Sequence, residues 1–535
     1  MSKIQKNFMS GALILSVANI LVKIIGAIYK IPLSNMIDTV GMNYYNDAYQ
    51  IYSLLFVLST AGVPIAIAKM VSESLVAKRL EEPKKILGIS TKIFALIGAA
   101  FTLLLIGFAP MLSKMLSSET TNYCLILIAP AIFLVATTST IKGYFQGYKC
   151  MQPTAIYQVL EAGFKLCGLA LVAGLYYFTS YKTDPMVLAC AGILGVTFGS
   201  FAASVYMVIR YLREKELGRS TEGTLPSRSN SSIAKTVLTL AIPISLSNAV
   251  MSVTSTLDMF LVKWNLSEYG LDADKVKDVY GAYAGATSSI FNLPPTITVT
   301  IGIAVLPFLT TAFAEKNIDF AHKNMRSSSK VIAIIAMPCA LGMCLLSEPI
   351  VKSLFSSSYW EVGVPTLSLL AISVFFVAMV SLTGIFLQAA GKVKISLMTM
   401  GIGAVMKLTV NILAVRNIGI MGAPLGTFAC YATIMVLNLI FIYKYSNFRL
   451  PLMANVIKPF LCSLLCCGGA YGVWRILNHV NFSIRLSLVA AIGVAGIIYV
   501  ITLLLFRVLS KEDMTLIPKG DKIGSFLAKM GWLHE

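Results

Sequence analysis

Five lysines lie inside segments that are otherwise apolar enough to cross a membrane. They are Lys23, Lys30, Lys69, Lys165 and Lys407. A lysine near the middle of a lipid-spanning helix costs about 3 kcal/mol on insertion scales, so such residues usually face a bundle interior or a water-filled cavity. Only two acids occupy comparable positions, Glu161 and Asp258. This imbalance predicts a cavity lined by cations, and therefore an anionic cargo.

The spacing of polar residues in the first apolar segment supports this prediction. Asn19, Lys23, Gly26 and Lys30 recur at intervals of three or four residues, which places them on one face of a helix. Snorkelling towards the membrane surface is an alternative for Lys30, which lies near the end of the segment. It is harder to invoke for Lys23 in the middle.

Two of the lysines have a carboxylate one helical turn away. Lys69 comes four residues before Glu73, and Glu161 comes four residues before Lys165. Pairs at this spacing attract each other along a helix, and a lysine paired in this way can be structural. Both a structural and a substrate-binding role therefore stay open for these two lysines. Lys407 has Gly403 at the equivalent earlier position in place of a carboxylate, which favours substrate contact.

Asp258 is the lone acid of its apolar segment, and Asn248 lies in the same segment. Together they could bind Na⁺, or Asp258 could carry a proton or neutralise a cavity lysine. The membrane potential is a further source of coupling energy, worth about 2.3 kcal/mol per charge per 100 mV. No cofactor or bound metal is predicted.

The stretch from Met42 to Tyr52 is dense in amide and phenol groups. Such side chains can hydrogen-bond to sugars and stack on them. They can equally form an aromatic belt at the outer membrane interface, and the belt is the favoured interpretation of the tyrosines.

The composition of the chain indicates a polytopic, all-α membrane protein. Of its 535 residues, 57% are hydrophobic and only 13% are charged. Apolar stretches of the length of a membrane-spanning helix predict about fourteen transmembrane helices. Their approximate limits are 8–35, 48–72, 86–109, 120–141, 154–178, 186–209, 236–262, 281–313, 331–346, 364–390, 395–415, 420–443, 455–477 and 484–506. The segment 281–313 is too long for one straight crossing, and Pro294, Pro295 and Pro307 predict a broken or kinked helix.

Basic residues outside the spans concentrate on alternate loops, which predicts that both termini are cytoplasmic. The densest loops hold Lys78, Arg79, Lys84, Lys85 and Lys92, and then Arg210, Arg213, Lys215, Arg219, Arg228 and Lys235. Topology and anionic membrane lipids therefore explain the net charge of +19, and nucleic acid is not a predicted partner.

Three polar residues each recur later in the chain, and the separation in sequence is the same for all three pairs. This predicts two similar halves. The matched pairs are Glu73 with Glu315, Gln146 with Gln388, and Lys165 with Lys407. Two six-helix lobes then enter the membrane in the same direction and enclose a central cavity, an arrangement of parallel repeats. The predicted parts are an N-terminal lobe (1–210), a cytoplasmic linker (211–233), a C-terminal lobe (234–445), two additional helices (446–508) and a basic cytoplasmic tail (509–535).

Motifs of enzyme chemistry do not occur in the sequence. It contains no P-loop, no G-x-S-x-G and no H-E-x-x-H, and the histidines His322, His479 and His534 lie in predicted loops or the tail. No Cys-x-x-Cys pair indicates a metal site. No catalytic residue is therefore predicted, and a transporter is favoured over an enzyme.

Four stretches of the chain resemble the MOP exporter superfamily. They are Ser16 to Lys30 with Lys23-Ile24-Ile25-Gly26, Asn46-Asp47-Ala48-Tyr49, Gly62 to Glu73, and Gly143-Tyr144-Phe145-Gln146-Gly147. Within that superfamily the chain is similar to the polysaccharide transporter and stage V sporulation protein B-like branch, which is related to bacterial lipid II flippases.

The resemblance implies a two-lobed protein that works by alternating access, with a groove for a lipid tail formed by the last two helices. Lys23 takes the place of a basic residue of the family, and Asp47 that of an acid at the start of helix two. Leu54 stands where the family has a basic residue, and lysines here replace central arginines. Lysine presents a point charge to a phosphate without the planar fork of arginine. Lipid II and other undecaprenyl-linked glycans both remain open as cargo.

The expected function is export across the bacterial cytoplasmic membrane of an anionic, undecaprenyl-pyrophosphate-linked oligosaccharide, either lipid II or a related cell-envelope precursor. Expected partners are this polyprenyl-linked glycan, anionic lipids and enzymes of cell-envelope synthesis. The predicted substrate-binding residues are Lys23, Lys30, Asp47, Lys69, Lys165 and Lys407. The alternatives are a multidrug or cation antiporter of the same superfamily, a membrane-embedded glycan polymerase, and a non-transporting partner of cell-wall or sporulation enzymes.

Overall fold

The computed structural model describes residues 3–116, 118–214, 226 and 228–508. These residues form helices joined by short turns, and no strand occurs among them. The all-α fold class predicted from composition is therefore confirmed. The predicted basic tail and most of the predicted linker lie outside the described residues.

The first half of the chain contains seven long or medium helices. They are α1 (Lys3–Thr60), α2 (Val63–Val76), α3 (Glu82–Met115), α4 (Thr121–Gly147), α5 (Gln152–Phe178), α6 (Pro185–Arg213) and α7 (Asn230–Glu268). Three further helices follow: α8 (Ala273–Ala282), α9 (Ser288–Phe291) and α10 (Leu293–Ala314). A π-helical turn at Tyr283–Thr287 lies between α8 and α9.

The remaining helices complete the described chain. They are α11 (Ile318–Leu345), α12 (Ser347–Leu354), α13 (Trp360–Ala371), α14 (Ser373–Ala389), α15 (Val393–Ile418), α16 (Gly422–Ser446), α17 (Lys458–His479) and α18 (Ile484–Leu505). A second π-helical turn, Met453–Ile457, precedes α17.

Each of the fourteen predicted apolar segments is helical, but the number of crossings is not confirmed. By length and hydropathy alone, the described residues contain nine helical spans, or up to eleven when each of two bent pairs is taken as one span. Two of these spans, Val17–Val76 and Val393–Ser446, hold 60 and 54 residues. Spans of that length exceed the roughly 20 residues needed for one crossing.

Helix α1 is interrupted at Asp38, whose φ of 59° and ψ of −179° are not helical. The predicted loop between the first two segments is therefore a sharp break in an otherwise continuous helical run. The predicted break in segment 281–313 is confirmed, since α9 ends at Phe291 and α10 begins at Leu293. Pro294 and Pro295 occupy the first turn of α10, where a proline removes no helical hydrogen bond.

The chain divides into two compact units. The N-terminal unit holds the described residues up to Lys263 together with Leu271–Gly285, and the C-terminal unit holds Trp264–Gly270 and the described residues from Ala286 onward. This division lies elsewhere than the predicted linker, because most of α7 packs in the N-terminal unit. Ile233, Val237 and Ala241 of α7 join its hydrophobic core.

Close helix contacts through small residues organise the N-terminal unit. A Cβ atom built on Gly195 of α6 would lie 2.6 Å from the Cα of Gly168 in α5, so only glycine fits this crossing. Helices α4 and α6 are joined by the hydroxyl of Thr197, which donates to the Leu127 carbonyl at 2.7 Å. The crossing of α5 and α6 fixes the height and rotation of the side chains that α5 carries.

The C-terminal unit has its core between α10, α11, α14 and α16. The last two helices pack on this unit, and the hydroxyl of Tyr499 in α18 donates to the Ile334 carbonyl of α11 at 2.6 Å. A second contact is the cluster of Leu346, Trp474 and Leu488. The lipid-tail groove that the resemblance implies for these helices stays a prediction.

Candidate functional site

Lys165 lies between tyrosine rings inside the N-terminal unit. Its Nζ is 4.9 Å from the ring centroid of Tyr29 and 4.6 Å from that of Tyr49, both on α1. Tyr29 is fixed in turn, because its hydroxyl donates to the Gly192 carbonyl at 2.7 Å. A cation over an aromatic face gains about 0.5–2 kcal/mol, depending on its desolvation. Neutral groups therefore hold this ammonium in place.

The tyrosines of α1 form one face of the helix beyond the break at Asp38. Tyr45, Tyr49, Tyr52 and Phe56 follow at helical spacing, with successive ring centroids 6.0, 5.9 and 5.7 Å apart. Tyr45 and Tyr52 are 2% and 5% exposed. The favoured prediction of an outer aromatic belt is therefore wrong for these two residues, since belt residues lie at the surface.

Lys30 also bonds to a neutral group. Its Nζ donates to the carbonyl of Ala284 at 3.2 Å, in the π-helical turn that follows α8. Lys30 and Lys165 are close enough to repel each other electrostatically. Two of the predicted substrate-binding lysines are therefore brought together in one unit.

Glu161 lies one turn before Lys165 on α5 and accepts a hydrogen bond from the Ser200 hydroxyl at 3.3 Å. The intrahelical pair suggested by their spacing is not formed, because the described chain contains no ion pair between these two residues. Glu161 instead acts electrostatically on both Lys142 and Lys165.

Lys142 is a residue that the sequence analysis missed. Its Nζ lies 3.4 Å from the ring centroid of Tyr157. The predicted fourth span ends at residue 141, whereas α4 continues to Gly147 and keeps Lys142 within the helix. The aromatic residues that follow it, Tyr144 and Phe145, are buried and were a signal that the helix extends further.

We call this group of side chains the lysine cluster. It comprises Lys30, Lys142, Lys165 and Glu161 together with the rings of Tyr29, Tyr49 and Tyr157. It holds three lysines and one carboxylate, an excess of two positive charges when the amines are protonated. Burying charge without compensation is unfavourable. The lysine cluster therefore has the electrostatics of an anion site whose resting contacts are rings and a carbonyl.

Asp47 lies outside the lysine cluster and is fully buried. Lys263 donates to both of its carboxylate oxygens, at 2.6 and 2.5 Å, and Asn43 donates to Oδ2 at 3.2 Å. The Tyr280 ring centroid is 4.7 Å from the same Lys263 Nζ. Lys263 was missed because the predicted seventh span ends at residue 262, whereas α7 continues to Glu268.

The other predicted site residues have less confined surroundings. Lys23 is exposed on α1, and Asn248 is exposed on α7. Lys69 pairs with Glu73 at 3.8 Å, as its spacing predicted, with side chains 59% and 52% exposed. Such an exposed pair adds only about 0.3–0.5 kcal/mol to the free energy of unfolding. Asp258 is half-buried in α7, and Lys407 is half-buried in α15 of the C-terminal unit.

Comparison with known proteins gives matches along the whole chain. The family model described as "Polysaccharide biosynthesis protein" matches residues 8–313, and the MatE model matches residues 243–413. Stage V sporulation protein B of Bacillus subtilis (strain 168) is 23% identical over 520 residues, which cover 96% of this chain and 98% of that protein. Lipid II flippase MurJ of the same organism is 22% identical over 461 residues, which cover 83% of this chain and 84% of that protein.

Solved structures show the same fold. A lipid II flippase MurJ in an inward closed conformation superposes with a TM-score of 0.71 at 16% identity, covering 92% of this chain and 99% of that one. An inward-facing multidrug resistance MATE family transporter of the MOP superfamily superposes with a TM-score of 0.63 at 15% identity. The match covers 85% of this chain and 94% of that one. Since the first family model covers more than half of the sequence, this multi-pass membrane protein belongs to the polysaccharide biosynthesis protein family.

Proposed function

We propose that the protein is a flippase that moves an undecaprenyl-pyrophosphate-linked oligosaccharide from the cytoplasmic to the outer leaflet by alternating access. Two relatives that match most of the chain, stage V sporulation protein B and lipid II flippase MurJ, support a lipid-linked precursor as cargo. The lysine cluster supports an anionic one. No covalent chemistry is part of this function.

The single observation that carries the proposal is how the amines of the lysine cluster are held. Lys165 and Lys142 lie on aromatic rings, and Lys30 bonds to a peptide carbonyl. An arriving phosphate can replace such neutral contacts without first separating an ion pair. The excess of two positive charges also matches the charge of a pyrophosphate diester.

This arrangement addresses the physical obstacle to moving such a lipid. A sugar pyrophosphate has no hydrogen-bond partners in hydrocarbon, so transferring it unaided is very costly. Lysine ammonium groups supply charge and three donors each, while the polyprenyl tail can remain in lipid. Lysine imposes less geometry on the phosphate than arginine, which suits a cargo that must leave as well as bind.

A multidrug antiporter is the second candidate, because the MatE family model matches residues 243–413 and the fold is shared with multidrug transporters. The lysine cluster disfavours cationic drugs, since three amines face one carboxylate. A glycan polymerase has less support, because no enzyme motif occurs in the sequence.

The energy source of transport is proposed as the membrane potential or an ion bound at Asp258 and Asn248. Asp258 is half-buried on α7 and acts electrostatically on Tyr280, beside the Asp47–Lys263 pair. This position near charged groups suits a carboxylate that binds the coupling ion, and it equally suits a carboxylate with only a structural role.

The proposal is tested with purified protein in liposomes and three labelled probes. The first is a polyprenyl pyrophosphate that carries a disaccharide, the second is a neutral polyprenyl glycoside of the same sugar, and the third is a cationic dye. We expect rapid exposure of the pyrophosphate lipid in the opposite leaflet and no covalent change by mass spectrometry. Transport of the dye alone would favour the antiporter, and a new glycosidic product would favour the polymerase.

A further inference from the structure

The charged side chains of the lysine cluster lie at different heights along their helices. At about 1.5 Å of rise per residue, Lys142 is roughly 8 Å from the end of α4 at Gly147. Lys165 is roughly 20 Å from either end of α5, and Lys30 is roughly 12 Å from the break at Asp38. The three amines therefore mark three levels across the N-terminal unit.

Chain connections fix the order of these levels. Helix α4 ends just before α5 begins, so Lys142 lies towards the end of the unit where α5 starts. The break in α1 lies at the opposite end, because a Cβ on Gly41 would lie 3.0 Å from the carbonyl of Pro185, the first residue of α6. With the predicted cytoplasmic N-terminus, Lys142 is on the cytoplasmic side, Lys165 is central and Lys30 is on the outer side.

The single carboxylate of the cluster has a defined place in this order. Glu161 acts electrostatically on Lys142 and on Lys165, and Lys165 acts on Lys30. Glu161 lies roughly 14 Å from the start of α5, between the levels of Lys142 and Lys165, so the order of charges from the cytoplasmic side is cation, anion, cation, cation. Glu161 is also anchored, because Ser200 donates to it at 3.3 Å.

We propose, resting on the function proposed above, that the three lysines form a stepped path for the pyrophosphate and that Glu161 acts as an internal competitor for it. Lys142 is the first step met from the cytoplasm. When cargo is absent, the carboxylate of Glu161 neutralises part of the positive potential between Lys142 and Lys165. It repels the phosphate in transit, which keeps any single step from binding too tightly.

A transport path needs this balance for a general reason. Cargo must bind well enough to enter but weakly enough, and at several sites, to leave. Three uncompensated amines at one level would form a deep trap for a pyrophosphate. Separate levels, with a fixed carboxylate between the first two, spread the attraction along the path.

The proposal makes opposite predictions for two neighbouring side chains. Lys142→Gln removes an attractive step, so anion affinity falls about tenfold. Glu161→Gln removes the competitor without changing the size of the side chain, so anion affinity rises about tenfold while turnover falls because release is slower. Lys142→Arg keeps the charge and should bind the anion more tightly than Lys142→Gln. Lys149→Gln is the matched control, an exposed lysine on the connection that follows α4.

The experiment measures binding of inorganic pyrophosphate, and of a fluorescent polyprenyl pyrophosphate, to the purified full-length chain by titration. Thermal unfolding of each variant is measured alongside, and Glu161→Asp, which keeps the carboxylate, is the charge-retaining control that should bind no more tightly than the wild type. If Glu161 has only a structural role, Glu161→Gln unfolds at a lower temperature and binds no tighter. That result, or unchanged affinity in Lys142→Gln, overturns the proposal.

The order of the steps is tested by sided competition. In inverted membrane vesicles, added pyrophosphate meets the cytoplasmic face and should inhibit flipping by the wild type. Lys142→Gln should raise the inhibitory concentration more than Lys30→Gln does, and the reverse result overturns the assigned order. Failure of the proposed function looks different, because the wild type then flips no pyrophosphate-linked lipid whatever the variants bind.

Discussion

At the level of single residues, the N-terminal unit holds two kinds of lysine, the buried Lys263 and the half-buried lysines of the cluster. Lys263 lies against a carboxylate that accepts from it twice, whereas the amines of the lysine cluster lie on rings and a carbonyl. The charge of the first kind is compensated by a carboxylate. The second kind has neutral contacts that an anion can replace, which is why we assign Lys263 a structural role and propose a transport role for the cluster.

The Asp47–Lys263 pair yields a prediction about stability. Asp47→Asn leaves a buried ammonium without its counter-charge, and breaking one partner of a buried pair costs about 3–5 kcal/mol. We expect a clear fall in the thermal unfolding temperature, measured by intrinsic fluorescence in detergent. The double variant Asp47→Leu with Lys263→Met should recover most of the loss, because it removes both charges.

A different outcome would assign Asp47 the substrate role that the resemblance implies. In that case Asp47→Asn unfolds at the wild-type temperature yet flips cargo slowly. The two measurements on one variant therefore distinguish a structural pair from a substrate contact.

Sequence reasoning located some of these residues and missed others for a definite reason. Lys30 and Lys165 stood out because they interrupt long apolar runs. Lys142 and Lys263 each lie one residue beyond a predicted span, and hydropathy does not fix helix ends that closely. The rings that hold Lys165 come from a helix more than a hundred residues away, a contact that no local pattern encodes.

At the level of helices, the crossing of α5 and α6 positions the lysine cluster. Gly195 lies against the backbone of α5, where an added Cβ would be 2.6 Å from both the Gly168 Cα and the Lys165 carbonyl oxygen. Any larger residue there must push α5 away. Lys165 and Glu161 would move with it.

We expect Gly195→Leu to lower both stability and transport, since overpacking typically costs about 1–3 kcal/mol. Gly174→Leu on α5 is the matched control, because a Cβ at Gly174 meets no heavy atom within 4 Å. Thermal unfolding and flipping assays on both variants test this. Equal behaviour of the two leucine variants would contradict the assigned role of the crossing.

The start of α7 is held by an anchor at the end of the linker. Glu82, the first residue of α3, is fully buried and accepts from the Arg228 backbone at 2.9 Å and from its Nε at 2.7 Å. Ser74 donates to the same carboxylate at 2.9 Å. This anchor ties the segment before α7 to the connection between α2 and α3.

Glu82→Gln should release this anchor and expose the Arg228–Ser229 peptide bond. We expect faster trypsin cleavage after Arg228, followed by mass spectrometry of the fragments, because local opening admits the protease. Glu81→Gln is the matched control, since Glu81 is the neighbouring, exposed residue. Equal cleavage of both variants would show that the anchor does not protect the segment.

The helices themselves were largely predictable, and their junctions were not. Each predicted apolar segment is helical because apolar runs of that length have no other way to satisfy their backbone in lipid. The break at Asp38 depends on one residue with positive φ, and the short helix α12 lies between predicted spans. Such features depend on tertiary contacts and local dihedral angles, which composition does not report.

At the level of the whole molecule, the two units carry their lysines on corresponding helices. Lys165 lies on α5, which packs along α6, and Lys407 lies on α15, which packs along α16. These two positions are one of the pairs that the constant spacing relates in the sequence. The similarity of the two halves stays a prediction, and the proposed alternating access depends on it.

If an ion bound at Asp258 drives transport, Asp258→Asn should lose the dependence of flipping on a Na⁺ or proton gradient. If the membrane potential drives it, the variant should keep its response to a potassium diffusion potential set with valinomycin. Flipping rates under each gradient separate the two, and undiminished, ion-independent transport by Asp258→Asn removes the ion site.

The most direct test of the central claim is the initial rate at which Lys165 variants flip a labelled, pyrophosphate-linked disaccharide lipid in liposomes. We expect Lys165→Gln to lower the rate about tenfold or more and Lys165→Arg to retain most of it. Lys69→Gln, which removes an exposed ammonium, should change the rate by less than about twofold. Wild-type rates in Lys165→Gln, with the protein folded and correctly inserted, would contradict the claim that these amines carry the phosphate.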